Sequence, residues 1–191
     1  MPDRDYDDSK LTLQAINEIV HNALSDLYEH DLVLLENDVS ERAITHKLAE
    51  YLQRYFPGFD VDCEYNRNVE FRQYSPKTIK PIEETRKKIL TLPAEVDKAL
   101  EVSTYPDIIV HRRLKNDKNL LVVEVKKLNS NIGIEFDLQK LSAFTGHDHP
   151  NNYHYRYGVL ILIPTRSKKI GDYQLQWYID GNKLDNNSRR I

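Results

Sequence analysis

Two apolar runs separated by a short polar stretch constrain the fold of this chain more than any other feature. The first run ends at Ile108-Ile-Val110, and the second spans Leu120 to Lys127. Six mostly polar residues, 114–119, separate them. Because connections of this length commonly join antiparallel neighbours, the pattern predicts a β-hairpin with strands at about 107–113 and 120–126.

Charged residues occupy the open end of this predicted hairpin. Side chains alternate along a strand, so Glu124 and Lys126 share one face while Val125 points to the other. Asp107 starts the neighbouring strand. Charges beside such apolar residues cost free energy unless they are paired or bind something. Two interpretations follow: the strand ends at Val123 and the charges are solvated, or the group holds a divalent metal, a water molecule and a phosphodiester.

The rest of the chain alternates helical and strand patterns. Apolar residues recur at helical spacing, with Ser9 and Ser40 as expected N-caps of the first two helices. The run Leu32 to Leu35 fits either a strand or a helix. The predicted helices cover residues 9–29, 40–56 and 134–145, and the further predicted strands cover 59–65, 155–163 and 175–179.

This order predicts an α/β sandwich with a mixed central sheet flanked by helices. We expect residues 1–191 to form a single domain, with residues 1–39 as an N-terminal helical extension and residues 40–165 as the core. Residues 68–104 are polar and contain three prolines, and they predict a variable surface insertion with short helices at 82–90 and 94–100.

Composition limits the class of protein. The 191 residues are 40% hydrophobic and 30% charged, which is typical of one soluble globular domain. The net charge of -3 argues against a protein that coats nucleic acid by charge alone, but it leaves room for a nuclease with local basic patches. The single cysteine, Cys63, excludes a disulfide within the chain and a zinc site of several thiolates. We expect a cytoplasmic protein that does not contact a membrane.

The residues Asp107, Glu124, Lys126 and Glu41 give the chain a resemblance to the PD-(D/E)xK nuclease superfamily. The resemblance covers about residues 40–165. It implies the restriction-endonuclease-like fold, in which a helix with an acidic residue precedes a hairpin that carries Asp and acid-x-Lys. It also implies a metal-dependent nuclease, with DNA as the expected substrate because most of the superfamily acts on DNA.

The resemblance assigns a role to each residue of the pattern. Asp107 and Glu124 would ligate Mg²⁺ or Mn²⁺, and the backbone carbonyl of Val125 could add a ligand. Lys126 would orient or help deprotonate the attacking water and stabilise the transition state. Glu41 would reach the metal directly or through water. The other interpretation of Glu41 is an acidic residue in a first helical turn, where the helix dipole favours it.

Three further basic residues are candidate contacts to nucleic acid: Lys127, Arg112 and Lys140. Lys140 is also consistent with a solvated surface lysine. A homodimer would supply two active sites for double-strand cleavage. The rival functions are a catalytically inactive nuclease-fold module that binds nucleic acid or a protein partner, and an enzyme that acts on RNA or free nucleotides.

A histidine-rich segment is the other candidate site. His147, Asp148 and His149, with His154 nearby, have the side chains to bind a transition metal. The same residues also suit a plain polar loop before Pro150.

Overall fold

A six-stranded mixed sheet forms the centre of this protein, as a computed structural model describes it. The description covers residues 10–65, 68–70, 73–75, 77–79, 102–128, 130, 133–147, 153–166 and 171–185. The strands are β1 (Asp60–Cys63), β2 (Asn68–Glu70), β3 (Gln73–Ser75), β4 (Thr78–Ile79), β5 (Val102–Ser103), β6 (Ile108–His111), β7 (Leu121–Lys127), β8 (Tyr157–Ile163), β9 (Gln174–Ile179) and β10 (Asn182–Lys183). The six-stranded sheet has the order β1-β6-β7-β8-β9-β10, and two further pairs, β2-β3 and β4-β5, are antiparallel.

The predicted hairpin is confirmed and supplies two central strands. β6 and β7 are antiparallel, and their register pairs Ile108 with Val123. Extending the register by one residue places Asp107 opposite Glu124, so both side chains project from the same face of the sheet. β7 runs parallel to β8, which a helical crossover connects to it.

Helices cover both faces of this sheet. They are α1 (Leu13–His30), α2 (Leu32–Glu36), α3 (Glu41–Tyr55) and α4 (Ile134–Thr145). One core cluster joins α1 and α3 to residues such as Val123, Val125 and Ile161. A second cluster joins α4 to the opposite face, where Val122 and Leu160 project. The sheet is therefore buried between two helical layers, as the sequence predicts.

Gly158 allows α4 to lie close to β8. A Cβ atom at this position would come within 3.0 Å of Thr145 Cγ2 and 3.3 Å of Leu141 Cδ2, both on the helix. These distances are shorter than ordinary van der Waals contacts. The absence of a side chain at position 158 therefore allows α4 to approach the central strands closely. The side chains that α4 directs toward the sheet come close to these strands as well.

Several sequence-based boundaries need correction. α1 begins at Leu13, and its N-cap is Thr12, whose hydroxyl accepts from Ala15 N; Ser9 lies outside the described residues. The unassigned run at 32–35 belongs to the short helix α2. The short strands β2 to β5, within the predicted insertion, and β10 were not predicted. The helices predicted at 82–90 and 94–100 also lie outside the described residues.

Within the ranges that the structure describes, no helix is both long and apolar enough to cross a membrane.

Ser40 sets the start of α3, and with it the position of Glu41. Its hydroxyl accepts a hydrogen bond from Ala43 N at 3.2 Å, as an N-cap does. We predict that Ser40→Ala lowers the free energy of unfolding by about 1 kcal/mol, whereas Ser40→Gly costs only a few tenths. Urea unfolding of the three proteins measures both values, and equal stability of Ser40→Ala and the unchanged protein would contradict the capping role.

Candidate functional site

The acidic end of the hairpin meets the helix α4 in a cluster of six charged side chains. Glu124 and Lys126 lie on β7, Asp107 immediately precedes β6, and the two flanking helices supply the rest. The helical members are Glu41 at the start of α3, and Asp137 and Lys140 on α4.

Glu124 lies at the bottom of this cluster. Its side chain is 0% exposed, and Lys140 Nζ lies 2.5 Å from its Oε2 atom. Its other oxygen, Oε1, is buried and has no hydrogen-bond partner. Burial raises the pKa of Glu124 well above its ordinary value; Lys140 opposes this shift, and the nearby charges of Asp107 and Asp137 add to it.

Asp107 is half-buried beside Glu124. Its Oδ2 atom accepts a hydrogen bond of 2.8 Å from Val125 N, which fixes the carboxylate against the edge of β7. Because the N–H and C=O of a strand residue project to the same edge, the Val125 carbonyl also faces the Asp107 side. Burial raises the pKa of Asp107, although the charges of Lys140 and Lys126 and the Val125 hydrogen bond oppose the shift.

Lys126 lies nearer the surface, between two carboxylates. Its ammonium group is 2.9 Å from Glu41 Oε1 and 3.0 Å from Asp137 Oδ2. The contact with Asp137 is an ion pair. Burial lowers the pKa of Lys126, but Glu41 and Asp137 outweigh it and raise the pKa overall. Lys126 is therefore a cation at neutral pH.

Glu41 connects the helical layer to the end of β7. Its Oε1 atom accepts from Lys126, and its Oε2 atom accepts from the backbone N of Lys127 at 3.2 Å. Both oxygens are thus engaged by the strand. At 31% exposure, the Glu41 side chain marks the solvent side of the cluster.

Asp137 is the member of the site that the sequence analysis missed. It is 6% exposed, and it contacts both lysines, with Lys140 Nζ 2.9 Å from its Oδ1 atom. It lies in the first turn of α4, where the helix dipole favours an acidic residue whatever its function. The spacing Asp137-x-x-Lys140 places both on one helix face and was the available signal.

The interpretation of Lys140 as a solvated lysine is wrong. The residue is 6% exposed, and its ammonium group contacts Glu124 and Asp137. These carboxylates raise the pKa of Lys140 despite the opposing effect of burial. A contact between Lys140 and phosphate would require the ammonium group to leave its buried partners.

The other two expected nucleic-acid contacts are also held by the protein. Lys127 Nζ lies 2.8 Å from Asp38 Oδ1. Arg112 follows β6 at the opposite end of the hairpin from Asp107, and its Nε donates to the Gly58 carbonyl at 3.1 Å. The structure therefore does not bring Arg112 to the charged cluster.

The charges of the cluster do not cancel. Four carboxylates (Asp107, Glu124, Asp137 and Glu41) and two ammonium groups (Lys126 and Lys140) leave a formal charge of about −2 when all six are ionised. One divalent cation would neutralise this excess.

The donor atoms present fit magnesium or manganese. In the described part of the chain, no group of three or more His, Cys, Asp or Glu side chains is arranged to hold a metal ion. Mg²⁺, however, is commonly held by only one or two carboxylates together with water and substrate phosphate. Glu124 Oε1 is a buried oxygen without a partner, and Asp107 and the Val125 carbonyl supply further hard oxygen ligands.

The histidine segment forms a separate surface cluster. His147 Nε2 lies 3.0 Å from Asp180 Oδ1, and His147 Nδ1 lies 3.4 Å from His154 Nδ1. Asp148 and His149 lie outside the described residues. The described contacts are those of a hydrogen-bonded polar loop, consistent with the simpler of the two interpretations.

In comparisons with known proteins, no family model matches the chain, and no curated protein or solved structure is significantly similar to it.

The raised pKa of Asp107 generates a prediction about stability without metal. A carboxyl with a raised native pKa keeps a proton that the unfolded chain releases, so its contribution to stability falls as pH rises above about 4. We predict that Asp107→Asn gains stability relative to the unchanged protein between about pH 4 and pH 7. Urea unfolding in EDTA across this range measures the difference.

Asp62 provides a control of opposite sign. Partial burial opposes the shift, but hydrogen bonds from His111 and Arg113 lower the pKa of Asp62. Its contribution is present above the ordinary carboxyl pKa and is lost as pH falls. Asp62→Asn should therefore lose stability near neutral pH and lose less in acid. The same trend in both variants would show that burial does not dominate at Asp107.

Proposed function

We propose that this protein is a metal-dependent nuclease of the PD-(D/E)xK type that hydrolyses phosphodiester bonds in DNA. The observation that carries the proposal is the meeting of Asp107 and Glu124 at the open end of the hairpin, beside the cationic Lys126. A six-stranded mixed sheet flanked by helices is compatible with the restriction-endonuclease-like fold.

Each side chain has a chemical task in this proposal. Asp107, Glu124 Oε1 and the Val125 carbonyl would hold Mg²⁺ or Mn²⁺. The bound ion would lower the pKa of a water ligand and offset negative charge on the phosphate. The water oxygen would bond to phosphorus as the bond to the leaving oxygen breaks. The proton that the water loses would pass, through solvent, to the leaving oxygen, which yields a phosphate monoester and a hydroxyl group.

Lys126 acts in this scheme as a fixed positive charge. Because Glu41 and Asp137 raise its pKa, it is poorly suited to accept a proton from water. It is well suited to stabilise the charge that develops on the phosphate, and its side chain is 13% exposed at the edge of the site. Glu41 and Asp137 serve as positioning residues for this ammonium group.

A second candidate function is favoured by the salt-bridge network itself. Both lysines already have carboxylate partners within 3.0 Å. Such a network is compatible with a nuclease-fold module that binds nucleic acid or a protein partner and does not cleave. This candidate predicts DNA binding that is the same in EDTA and in Mg²⁺, with no strand cleavage in either.

Plasmid cleavage tests the two functions against each other. We predict that the unchanged protein nicks or linearises supercoiled DNA in Mg²⁺ or Mn²⁺ and not in EDTA. Lys126→Ala should lower the rate at least about a hundredfold, as the loss of one preorganised electrostatic contact does.

Lys47→Ala is the matched control, since this lysine pairs with Glu50 on the outer face of α3. It should cleave like the unchanged protein. Intact plasmid in every metal, with DNA retained in a gel-shift assay, would favour the non-catalytic module. Parallel labelled RNA and nucleotide substrates test the choice of DNA.

A further inference from the structure

Lys140 places a positive charge beside the buried carboxylate of Glu124. Its ammonium group lies 2.5 Å from Glu124 Oε2 and 2.9 Å from Asp137 Oδ1, and its side chain is only 7% exposed. Burying a lysine costs several kcal/mol unless the geometry with its partners is good. Lys140 on α4 nevertheless contacts Glu124, the most buried carboxylate of the site.

The position of Lys140 conflicts with a divalent ion bound to the same carboxylate. An ammonium group in contact with Glu124 neutralises part of the charge that would attract the ion, and it repels the ion directly. Glu124 Oε1 has no partner, so the carboxylate is half satisfied. The second contact, to Asp137, gives the ammonium group a buried partner other than Glu124.

We infer that Lys140 is an internal counter-ion that competes with the divalent metal for Glu124, and that metal binding moves its ammonium group away from Glu124 while it stays paired with Asp137. The inference rests on the proposed function, because it concerns the regulation of the same metal site. In the metal-free protein Lys140 offsets the charge of Glu124. The site then accepts metal only at concentrations that displace this contact.

Calorimetric metal titration of Lys140→Gln tests the inference by the sign of its effect. Removal of the competing charge should tighten binding of Mg²⁺ or Mn²⁺ by at least about tenfold, the minimum that a neighbouring charge typically exerts on an ionised group. A merely structural lysine would leave the affinity unchanged or weaken it. Lys140→Arg keeps the charge and should not tighten binding, and Lys47→Gln controls for the loss of a distant lysine.

Stability without metal gives a second readout. Lys140→Gln leaves Glu124 buried with less compensation, so its unfolding midpoint in EDTA should fall below that of the unchanged protein. Added Mg²⁺ should raise the midpoint of the variant more than that of the unchanged protein, since tighter binding stabilises more. Equal metal-induced shifts would count against the competition.

A measurement on the unchanged protein covers the case in which Lys140→Gln does not fold. With ¹³C-labelled lysine, the Lys140 Cε resonance should move as Mg²⁺ is added, while that of Lys47 should not. A stationary Lys140 resonance at saturating metal would overturn the inference.

The outcomes separate this inference from the proposed function. Plasmid cleavage by the unchanged protein, together with no gain in affinity in Lys140→Gln, rejects the counter-ion and keeps the nuclease. No metal binding by any of the proteins, together with no cleavage, rejects both. Tighter binding by Lys140→Gln with no plasmid cleavage keeps the counter-ion and rejects the nuclease.

Discussion

The ion pair between Glu124 and Lys140 is the interaction on which the rest of the site depends. A fully buried carboxylate in the middle of an apolar sheet is unfavourable. The close packing of α4 against β8 offsets this cost, because it allows the Lys140 ammonium group to reach Glu124. Gly158 permits that close approach. α4 therefore completes the second core cluster and also supplies the positive charge that offsets the cost of burying Glu124.

From this pair the charges alternate outward to solvent. Lys140 contacts Asp137, Asp137 contacts Lys126, and Lys126 contacts Glu41 at the surface. Because the contacts are linked in this way, removal of any member changes the electrostatics of the others. Asp107 lies beside this row of contacts, with one oxygen fixed by the Val125 backbone. When all six groups are ionised, its carboxylate adds a second negative charge to the net charge of about −1 that the other five carry.

The parts of this arrangement that depend on local pattern could be predicted from the sequence. Apolar runs and a short polar connector gave the hairpin, and helical spacing gave α3 and α4. The shared face of Glu124 and Lys126 follows from strand geometry alone. The spacing of Asp137 and Lys140 places them on one helix face, but the burial of both could not be predicted, because it depends on the distance between α4 and the sheet. That distance is a tertiary property, set by Gly158 and the side chains around it, and no periodicity in α4 reports it.

The same network of charges also bears on whether these side chains stabilise the fold or serve a function. Two carboxylates with raised pKa values, a buried oxygen without a partner and a negative excess are all costs in the metal-free protein. Lys140 forms its ion pairs with Glu124 and Asp137, and Asp107 adds further negative charge near them. Residues that lower stability while pointing into a shared cluster are characteristic of functional sites. The proposal of a metal site therefore depends on Asp107 more than on any other side chain of the cluster.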